Sequence, residues 1–396
     1  MEQTTGQALR SLREAVGLSQ EALAARAFVA ASSIANIEAG RRGLSLDLAE
    51  NCDRALGSTP LLATLAATGG DDMRRRALLL HLGEAATIGA ISGAGGLAEL
   101  VRSGMLEAAG VQQHWDERVA DYRYRLTVDG SASFGQALSA QLMVVRQRLQ
   151  ESSGSTELLR AAAGLGHVFG LWLGNTGRLS AAHGWYTTAN HLAGESGDRM
   201  LTSYVLGRSA SRGIYEGWTV ARTTADAGRA LDLAKGEPCA GALEAYAALI
   251  HVHALTGNAT EGRAAVNAVE SVAAAMGDPA AVARALFLRA FGEARYGDAS
   301  TAHEAYEAAR PALAPHPLWQ AEARVYLGRA MIAEGDVHAG ATTALAALTD
   351  LRHEVRVVGV AVRDAVLSAP AGVRSEALDQ LRAYADPSPG PWETLR

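Results

Sequence analysis

The sequence predicts an all-α protein in which a small bundle of short helices precedes an α-solenoid of helical hairpins. Proline is scarce, at 10 of 396 residues, which favours helix, and a content of 48% hydrophobic and 20% charged residues excludes a disordered or collagen-like chain. Apolar residues recur at helical spacing near the start of the chain. Turn glycines recur at a nearly constant interval in its second half, as in repeat architectures.

The charge balance limits the kinds of partner that the whole chain attracts. The sequence has 36 basic and 42 acidic residues, a formal net charge of −6. A nucleic-acid contact must therefore come from a local patch rather than from the overall field. Two cysteines exclude a disulfide framework and a zinc cage of their own, and fit a reducing compartment. We expect a cytoplasmic protein.

The N-terminal segment shows the spacing of a helix-turn-helix unit. Residues 7–18 carry apolar side chains at helical spacing, and Ser19 is placed to cap a second helix over Gln20–Arg26. A third helix passes through Ile34 and Ile37. Short helices joined by turns of a few residues are the geometry of this motif.

The same residues resemble the Xre (Cro/cI-type) helix-turn-helix family. The matching segments are Leu9-Arg-x-Leu-Arg13, Gly17-Leu-Ser-Gln20-Glu-x-Leu-Ala24 and Ile34-x-x-Ile37-Glu38-x-Gly40-Arg41-Arg42. The resemblance implies a five-helix DNA-binding domain, a phosphate contact by the residue that opens the second helix, base contacts from the third helix and backbone contacts after it. It implies DNA-contacting roles for Gln20, Ala31, Ser32, Ser33, Asn36, Arg41 and Arg42. It also implies a buried structural ion pair between Arg13 and Glu38.

Two positions depart from the pattern of that family. Phe28 stands where the turn usually has glycine, so the turn must be extended or strained there, and Ala30 replaces the usual Ser or Thr cap of the third helix. The reading face also lacks an Arg or Gln fork for a base edge. Three interpretations stay open: weak binding by DNA shape, affinity gained through dimerisation, or loss of DNA binding.

The second half of the chain carries an internal repeat. Turn glycines lie at equal spacing at Gly177, Gly217, Gly257 and Gly297, and Gly335 follows after a slightly shorter interval. Ala-rich amphipathic segments separate them, so each repeat is predicted to be one hairpin of two antiparallel helices. Stacked hairpins bury one continuous core and form a concave groove.

The pattern Gly-Asn/Asp-x-x-x-Ala-x-x-x-Tyr in these turns resembles the tetratricopeptide repeat, although the period here is longer than the period of that family. The two halves together resemble actinobacterial-type regulators that fuse an Xre helix-turn-helix to such repeats. The predicted domains are a DNA-binding domain (1–68), a linker helix region (69–114), a repeat array (115–386) and a flexible tail (387–396).

Equivalent positions in the first helices of the hairpins should face one another along the groove. Aromatic side chains beside arginines suit a peptide carboxylate or another anionic ligand. The alternative is that the aromatics pack between repeats and the arginines pair with Glu216 or Glu244. The predicted groove residues are Trp172, Tyr204, Arg208, Arg212, His251, Arg284 and Phe291.

The sequence thus favours a transcriptional regulator that binds a double-stranded DNA operator as a homodimer. Its repeats would sense a peptide, a small molecule or a protein, and would change operator affinity through the geometry of the dimer. The alternative is a protein-interaction adaptor with a degenerate helix-turn-helix that does not bind DNA. Gly93-x-Gly95-x-x-Ala98 fits the dinucleotide-binding pattern, but the sequence predicts no strand before it, and the histidines lack the spacing of a metal site. We therefore expect no enzyme, metal, cofactor or membrane span.

Overall fold

In the computed structural model the described residues form α-helices and one 3₁₀ turn, and none of them forms a strand, as the sequence predicts. The structure describes residues 5–15, 18–56, 62, 114–128, 130–152, 154–349, 351 and 355–387. Most of the predicted linker region, and the predicted tail after residue 387, lie outside the described residues.

Four short helices form the described part of the N-terminal bundle. They are α1 (Thr5–Ala15), α2 (Gln20–Arg26), α3 (Ala31–Glu38) and α4 (Leu46–Leu56). Ser19 caps α2, because its hydroxyl accepts a 3.1 Å hydrogen bond from the Ala22 amide, as predicted. The core between the helices contains fully buried Leu9, Leu23 and Ile34. Of the predicted fifth helix the structure describes only Leu62, which is helical and buried.

The turn between α2 and α3 carries the two departures from the family pattern. Phe28 has a φ of 57°, in the left-handed region, and its side chain is 89% exposed. The turn is therefore strained rather than extended, because a side chain with a Cβ atom disfavours this region. Ala30 occupies the cap position of α3 and offers no side-chain hydrogen bond.

The chain divides into two compact units. The first comprises Met1–Val119 with Ser131–Leu165, and the second comprises Ala120–Gly130 with Gly166–Arg396. After α4 the helices formed by described residues are, in chain order, α5 (Trp115–Val128), α6 (Ala132–Glu151), α7 (Thr156–Asn175), α8 (Leu179–Glu195), α9 (Arg199–Gly213), α10 (Val220–Ala234), α11 (Ala240–Thr256), α12 (Ala259–Met276), α13 (Pro279–Tyr296), α14 (Ala299–Leu313), α15 (Pro317–Ala333), α16 (Val337–Leu348), α17 (Arg356–Leu367) and α18 (Glu376–Arg382). A 3₁₀ turn, Ile214–Glu216, follows α9.

In the second unit the helices form repeated hairpins. The odd-numbered helices α9, α11, α13, α15 and α17 pack one against the next and form a continuous layer. Each even-numbered helix from α10 to α14 packs between the first helix of its own hairpin and that of the following hairpin. Backbones approach closely in the first layer, since a Cβ added at Gly207 would lie 2.8 Å from the Gly241 carbonyl oxygen.

The turn glycines of the repeat do not all serve the same purpose. Gly177, Gly217, Gly257 and Gly335 adopt positive φ between 71° and 103°, which ends the first helix of each hairpin in a left-handed cap. Gly297 has an extended backbone instead, with φ of −100°. A Cβ there would lie 2.2 Å from Thr301 Oγ1, a member of the capping box that begins α14.

No helix in the described part of the chain is long and apolar enough to cross a membrane.

Candidate functional site

A buried ion pair holds the first three helices together. Arg13 of α1 donates from Nε to Glu38 Oε1 at 2.6 Å and from Nη2 to Glu38 Oε2 at 2.9 Å. Arg13 Nη1 also donates to the Leu18 carbonyl oxygen at 2.8 Å, which joins α1 to the residue before the Ser19 cap of α2. Both side chains are more than nine-tenths buried. Such a bidentate geometry gives the pair both strength and a defined orientation.

Gln20, the first residue of α2, turns its side chain to the same carboxylate. Its Nε2 donates a 2.7 Å hydrogen bond to Glu38 Oε2. An amide nitrogen has two donors, so this contact leaves one for a DNA phosphate, the role that the resemblance implies. The contact also orients the amide at the start of α2.

The outer face of α3 carries small polar side chains. Ile34, Ile37 and Glu38 point into the core, which leaves Ser32 and Asn36, one turn apart, on the opposite face. Ser32 is exposed, and Asn36 is half-buried. Ala31 and Ser33, at the start of the helix, are half-buried as well. The side chains that this face offers to a base edge are therefore all short.

Arg41 and Arg42 follow α3 and are both exposed. Their backbone amides donate to the Asn36 carbonyl oxygen at 2.8 and 3.2 Å, after Gly40 has turned the chain with a φ of 70°. The side chain of Arg41 reaches back to Asn36 Oδ1 at 3.5 Å, a long and weak contact. The backbone of both arginines is therefore anchored at the C-terminal end of α3, where side chains of a helix-turn-helix motif meet the DNA backbone.

The second unit encloses a polar cavity along its layer of odd-numbered helices. The cavity has a volume of about 40 Å³, enough for roughly three water molecules. Six helices, α5, α7, α9, α11, α13 and α15, contribute to its wall together with Tyr215 of the 3₁₀ turn and Val357 of α17. Thr127 of α5 contacts His316, just before α15, at 3.2 Å between Oγ1 and Nδ1, so the first and later helices of this unit meet around the cavity.

One carboxylate joins three consecutive odd-numbered helices beside this cavity. Glu244 of α11 accepts from Arg208 Nη1 at 3.1 Å and from Arg284 Nε and Nη2 at 3.0 Å each. Ser211 Oγ adds a fourth bond at 3.1 Å. Burial opposes ionisation of Glu244, but Arg208 and Arg284 outweigh it and lower the pKa of the carboxyl to about 2. The group is therefore ionised and fully partnered.

A second buried carboxylate binds the remaining arginine of the cavity wall. Arg212 Nη2 donates to Asn175 Oδ1 at 2.8 Å and lies 3.4 Å from Glu216 Oε1. Tyr186 donates its hydroxyl to the same Glu216 oxygen at 3.1 Å. Burial raises the pKa of Glu216, and the neighbouring Arg212 only partly offsets this effect.

Glu322 of α15 is the acidic side chain of the cavity wall that sequence reasoning missed. It is 6% exposed, and none of the described residues donates a hydrogen bond to it or forms an ion pair with it. Burial raises its pKa, while Arg212, Arg284 and Arg208 act in the opposite direction without reaching it. A signal was present, because Glu244, Arg284 and Glu322 each lie at the same sequence separation before the turn glycine of their own repeat.

The structure divides the predicted groove residues into two sets. Arg208, Arg212, His251 and Arg284 border the cavity. The three arginines of this set pair with Glu244 and Glu216. This is the arrangement that the sequence analysis gave as the alternative to a ligand contact. Burial lowers the pKa of His251 far below its usual value, and its Nδ1 lies 2.9 Å from the Tyr215 hydroxyl.

The three predicted aromatic residues do not border the cavity. Trp172 is buried and donates from Nε1 to the Gly130 carbonyl oxygen at 3.1 Å. The ring of Tyr204 lies 4.2 Å from the Arg123 guanidinium. Phe291 is fully buried, and its ring centroid lies 4.4 Å from that of His251. These rings pack between helices, so the structure does not bring all seven residues to one site.

No cluster of His, Cys, Asp and Glu in the described part of the chain has an arrangement that could hold a metal ion.

Comparison with known proteins concerns the N-terminal bundle. A family model described as a helix-turn-helix domain matches residues 5–65, which include α1 to α4. No curated protein matches the chain. The matched residues include Arg13, Glu38 and all seven residues for which we expect DNA contacts.

Proposed function

We propose that the protein is a transcriptional regulator that binds an operator through α2 and α3 and senses a ligand through its helical repeats. The observation that carries the proposal is the helix-turn-helix match over residues 5–65, together with two exposed arginines anchored at the end of α3. A protein of this kind would act in the cytoplasm. We propose further that its first helices are of the Xre type and its hairpins are tetratricopeptide-like, as the sequence motifs indicate.

The composition of the reading face supports binding as a dimer. The outer face of α3 presents Ser32 and Asn36. Of these two side chains, only that of Asn36 can form a bidentate pair with a base, namely adenine. One such contact supplies about 1–3 kcal/mol of discrimination, far below what a specific site needs. Two copies on two half-sites would double the contacts, and their spacing would be fixed by the two-fold axis of the dimer.

Sensing would act by thermodynamic linkage. A ligand that binds one arrangement of the repeats more tightly than another shifts the population toward it, and with it the half-site spacing of the dimer. A change of about 1–3 kcal/mol in operator affinity, typical for such coupling, is a change of about 5- to 150-fold. The proposed ligand is a peptide, a small molecule or a protein partner.

The test is selection of double-stranded DNA from a random pool by the full-length protein, followed by titration of the selected sequence at several salt concentrations. We expect an enriched motif with two-fold symmetry, and affinity that falls steeply as salt rises. Sedimentation of the complex should show two protein chains for each DNA duplex. Failure to enrich any sequence, with no salt-dependent binding, would overturn the proposal and favour an adaptor role.

A further inference from the structure

Glu322 is a buried carboxylate whose surroundings leave it incompletely satisfied. It lies on α15, 6% exposed, and borders the cavity of the second unit. The other buried carboxylates near it accept hydrogen bonds from arginines, whereas no described residue donates one to Glu322. Because an unpartnered buried charge costs several kcal/mol, the cavity next to it is the place where a partner would be bound.

The charges around the cavity define the net charge of that partner. Three guanidinium groups, those of Arg208, Arg212 and Arg284, face three carboxylates, those of Glu244, Glu216 and Glu322. When Glu216 and Glu322 are ionised, these three cations and three anions balance, so a ligand with a net charge would bring an uncompensated charge into a buried site. A ligand that offers a cation to Glu322 must therefore carry its own anion.

Two of the arginines have donors for such an anion. Arg208 uses only Nη1 in its bond to Glu244, and Arg212 uses only Nη2 in its bonds to Asn175 and Glu216. Each guanidinium has five N–H donors, so both can donate further bonds into the cavity that they border. Arg284, in contrast, already makes a bidentate pair with Glu244.

The remaining wall limits the size and polarity of the ligand. Phe287 and Trp319 border the cavity, and the Arg284 guanidinium lies 5.2 and 5.5 Å from their ring centroids. These rings offer an apolar surface beside the charged groups. A volume of about 40 Å³ admits only a small molecule, with a short apolar part at most.

We propose that this cavity binds a small zwitterion of the α-amino acid type, with its ammonium group on Glu322 and its carboxylate on Arg208 and Arg212. The inference rests on the sensing role proposed above and names the ligand class of that role. The ammonium supplies the donors that Glu322 lacks, and the carboxylate accepts the N–H groups of the arginines. The net charge of the site stays unchanged.

The experiment is calorimetric titration of the full-length protein, without DNA, with glycine, alanine and serine as probes. Ethylamine and propionate, which each carry one of the two charges, are the matched ligand controls. The variants are Glu322→Gln, which removes the negative charge in the cavity, and Glu304→Gln, which removes an exposed carboxylate on α14. The unfolding temperature of each variant is measured with and without the probe, because a ligand that binds only the folded state raises it.

We expect at least one of the amino acids to bind and to raise the unfolding temperature, while ethylamine and propionate bind much more weakly. Glu322→Gln should weaken binding by about tenfold or more, and Glu304→Gln should leave it unchanged. Absence of binding up to about 10 mM, equal binding of ethylamine alone, or an unchanged affinity in Glu322→Gln would each overturn the inference. DNA selection is measured separately, so a protein that binds DNA but no amino acid refutes only the ligand class. A protein that binds the amino acid but no DNA refutes the regulator.

Discussion

The side-chain amide of Gln20 donates to Glu38 Oε2, the same oxygen that accepts a bond from Arg13 Nη2. The residue that opens α2 and the residue that ends α3 are therefore joined through one carboxylate. The angle between these helices determines whether α3 can enter a major groove while α2 rests on the backbone. The buried ion pair thus sets the geometry of the whole candidate DNA-binding surface.

Removal of the carboxylate at this junction should destabilise the bundle strongly. In Glu38→Ala, Arg13 stays buried without its counter-charge, and we expect a loss of about 3–5 kcal/mol. Hydrogen exchange of the amides in α2 and α3 measures the local loss within the full-length protein. Glu14→Ala is the matched control, because Glu14 is exposed and solvent screens its contacts with Arg10 and Arg13, so its loss should have little effect. Equal effects of the two substitutions would contradict this account.

The strained turn at Phe28 predicts a stabilising substitution. Phe28→Gly should raise the unfolding free energy of the bundle by about 1 kcal/mol, because glycine adopts positive φ without a steric penalty. Phe28→Ala keeps the strain and removes only an exposed ring, so its stability should stay close to that of the natural protein. Hydrogen exchange of α3 distinguishes the two variants. A gain for alanine as large as that for glycine would assign the effect to the ring.

Asn36 and the following arginines should differ in how they affect DNA binding. Asn36→Ala should relax the sequence preference at one position of each half-site, because its amide is the group on α3 able to pair bidentately with adenine. Asn51→Ala on α4 is the matched control. The measurement is selection from a random pool with each variant. An unchanged motif in Asn36→Ala would remove this residue from the reading face.

Arg41→Ala and Arg42→Ala should weaken binding to every sequence alike and should each reduce the salt slope by about one. Arg54→Ala, which removes an exposed guanidinium from α4 close to Asn51, serves as the control and should leave the slope unchanged. Affinities measured over a series of salt concentrations decide the matter. A slope that changes as much in the control would mean that the protein's general charge, rather than this position, governs binding.

Glu244 and Glu322, two of the three carboxylates around the cavity, should respond oppositely to neutralisation. Glu244 has a pKa lowered to about 2 from 4.5, so it stabilises the fold above about pH 4.5, and this contribution disappears as the pH falls toward 2. Glu244→Gln should therefore cost several kcal/mol at neutral pH and much less in acid. The pKa of Glu322 is raised, so its ionisation costs stability as the pH rises through that value.

Glu322→Gln should accordingly raise the unfolding temperature at about pH 7. At about pH 4 it should leave the unfolding temperature nearly unchanged, because the Glu322 carboxyl is then largely protonated in both the folded and the unfolded chain. Thermal unfolding of the full-length protein at both pH values measures each effect. A loss of stability in Glu322→Gln at neutral pH would mean that Glu322 is a structural ion-pair partner.

Periodic features of the chain were predictable from sequence, and contacts between distant residues were only partly so. Ser19 and Gly177 act locally, so the start of α2 and the turn after α7 follow from the residue types alone. The contact of Gln20 with Glu38 depends on the crossing angle of α2 and α3, which the spacing of residues along the chain does not specify. For Phe28 the residue type indicated extension or strain, and only the backbone shows which.

The candidate cavity shows the same limit. His251 and Phe291, both predicted as groove residues, occupy equivalent positions in neighbouring repeats, and their rings do lie together, but in the packed interior rather than in a groove. Glu322 was missed because the interval from Gly297 to Gly335 is shorter than the intervals between the earlier turn glycines. A search that advances from Arg284 by the longer interval therefore passes beyond Glu322. Alignment to each turn glycine, instead of a fixed period, brings Glu244, Arg284 and Glu322 to one position.

The triad of Arg208, Glu244 and Arg284 has a consequence for how this protein can change during evolution. Loss of Glu244 alone would leave two buried cations, and loss of one arginine would weaken the support of the carboxylate from one side. Single-step routes away from the triad therefore pass through poorly folded intermediates. Descendants should keep all three residues or exchange them together for apolar ones, although the positions lie on three separate helices and far from one another along the chain.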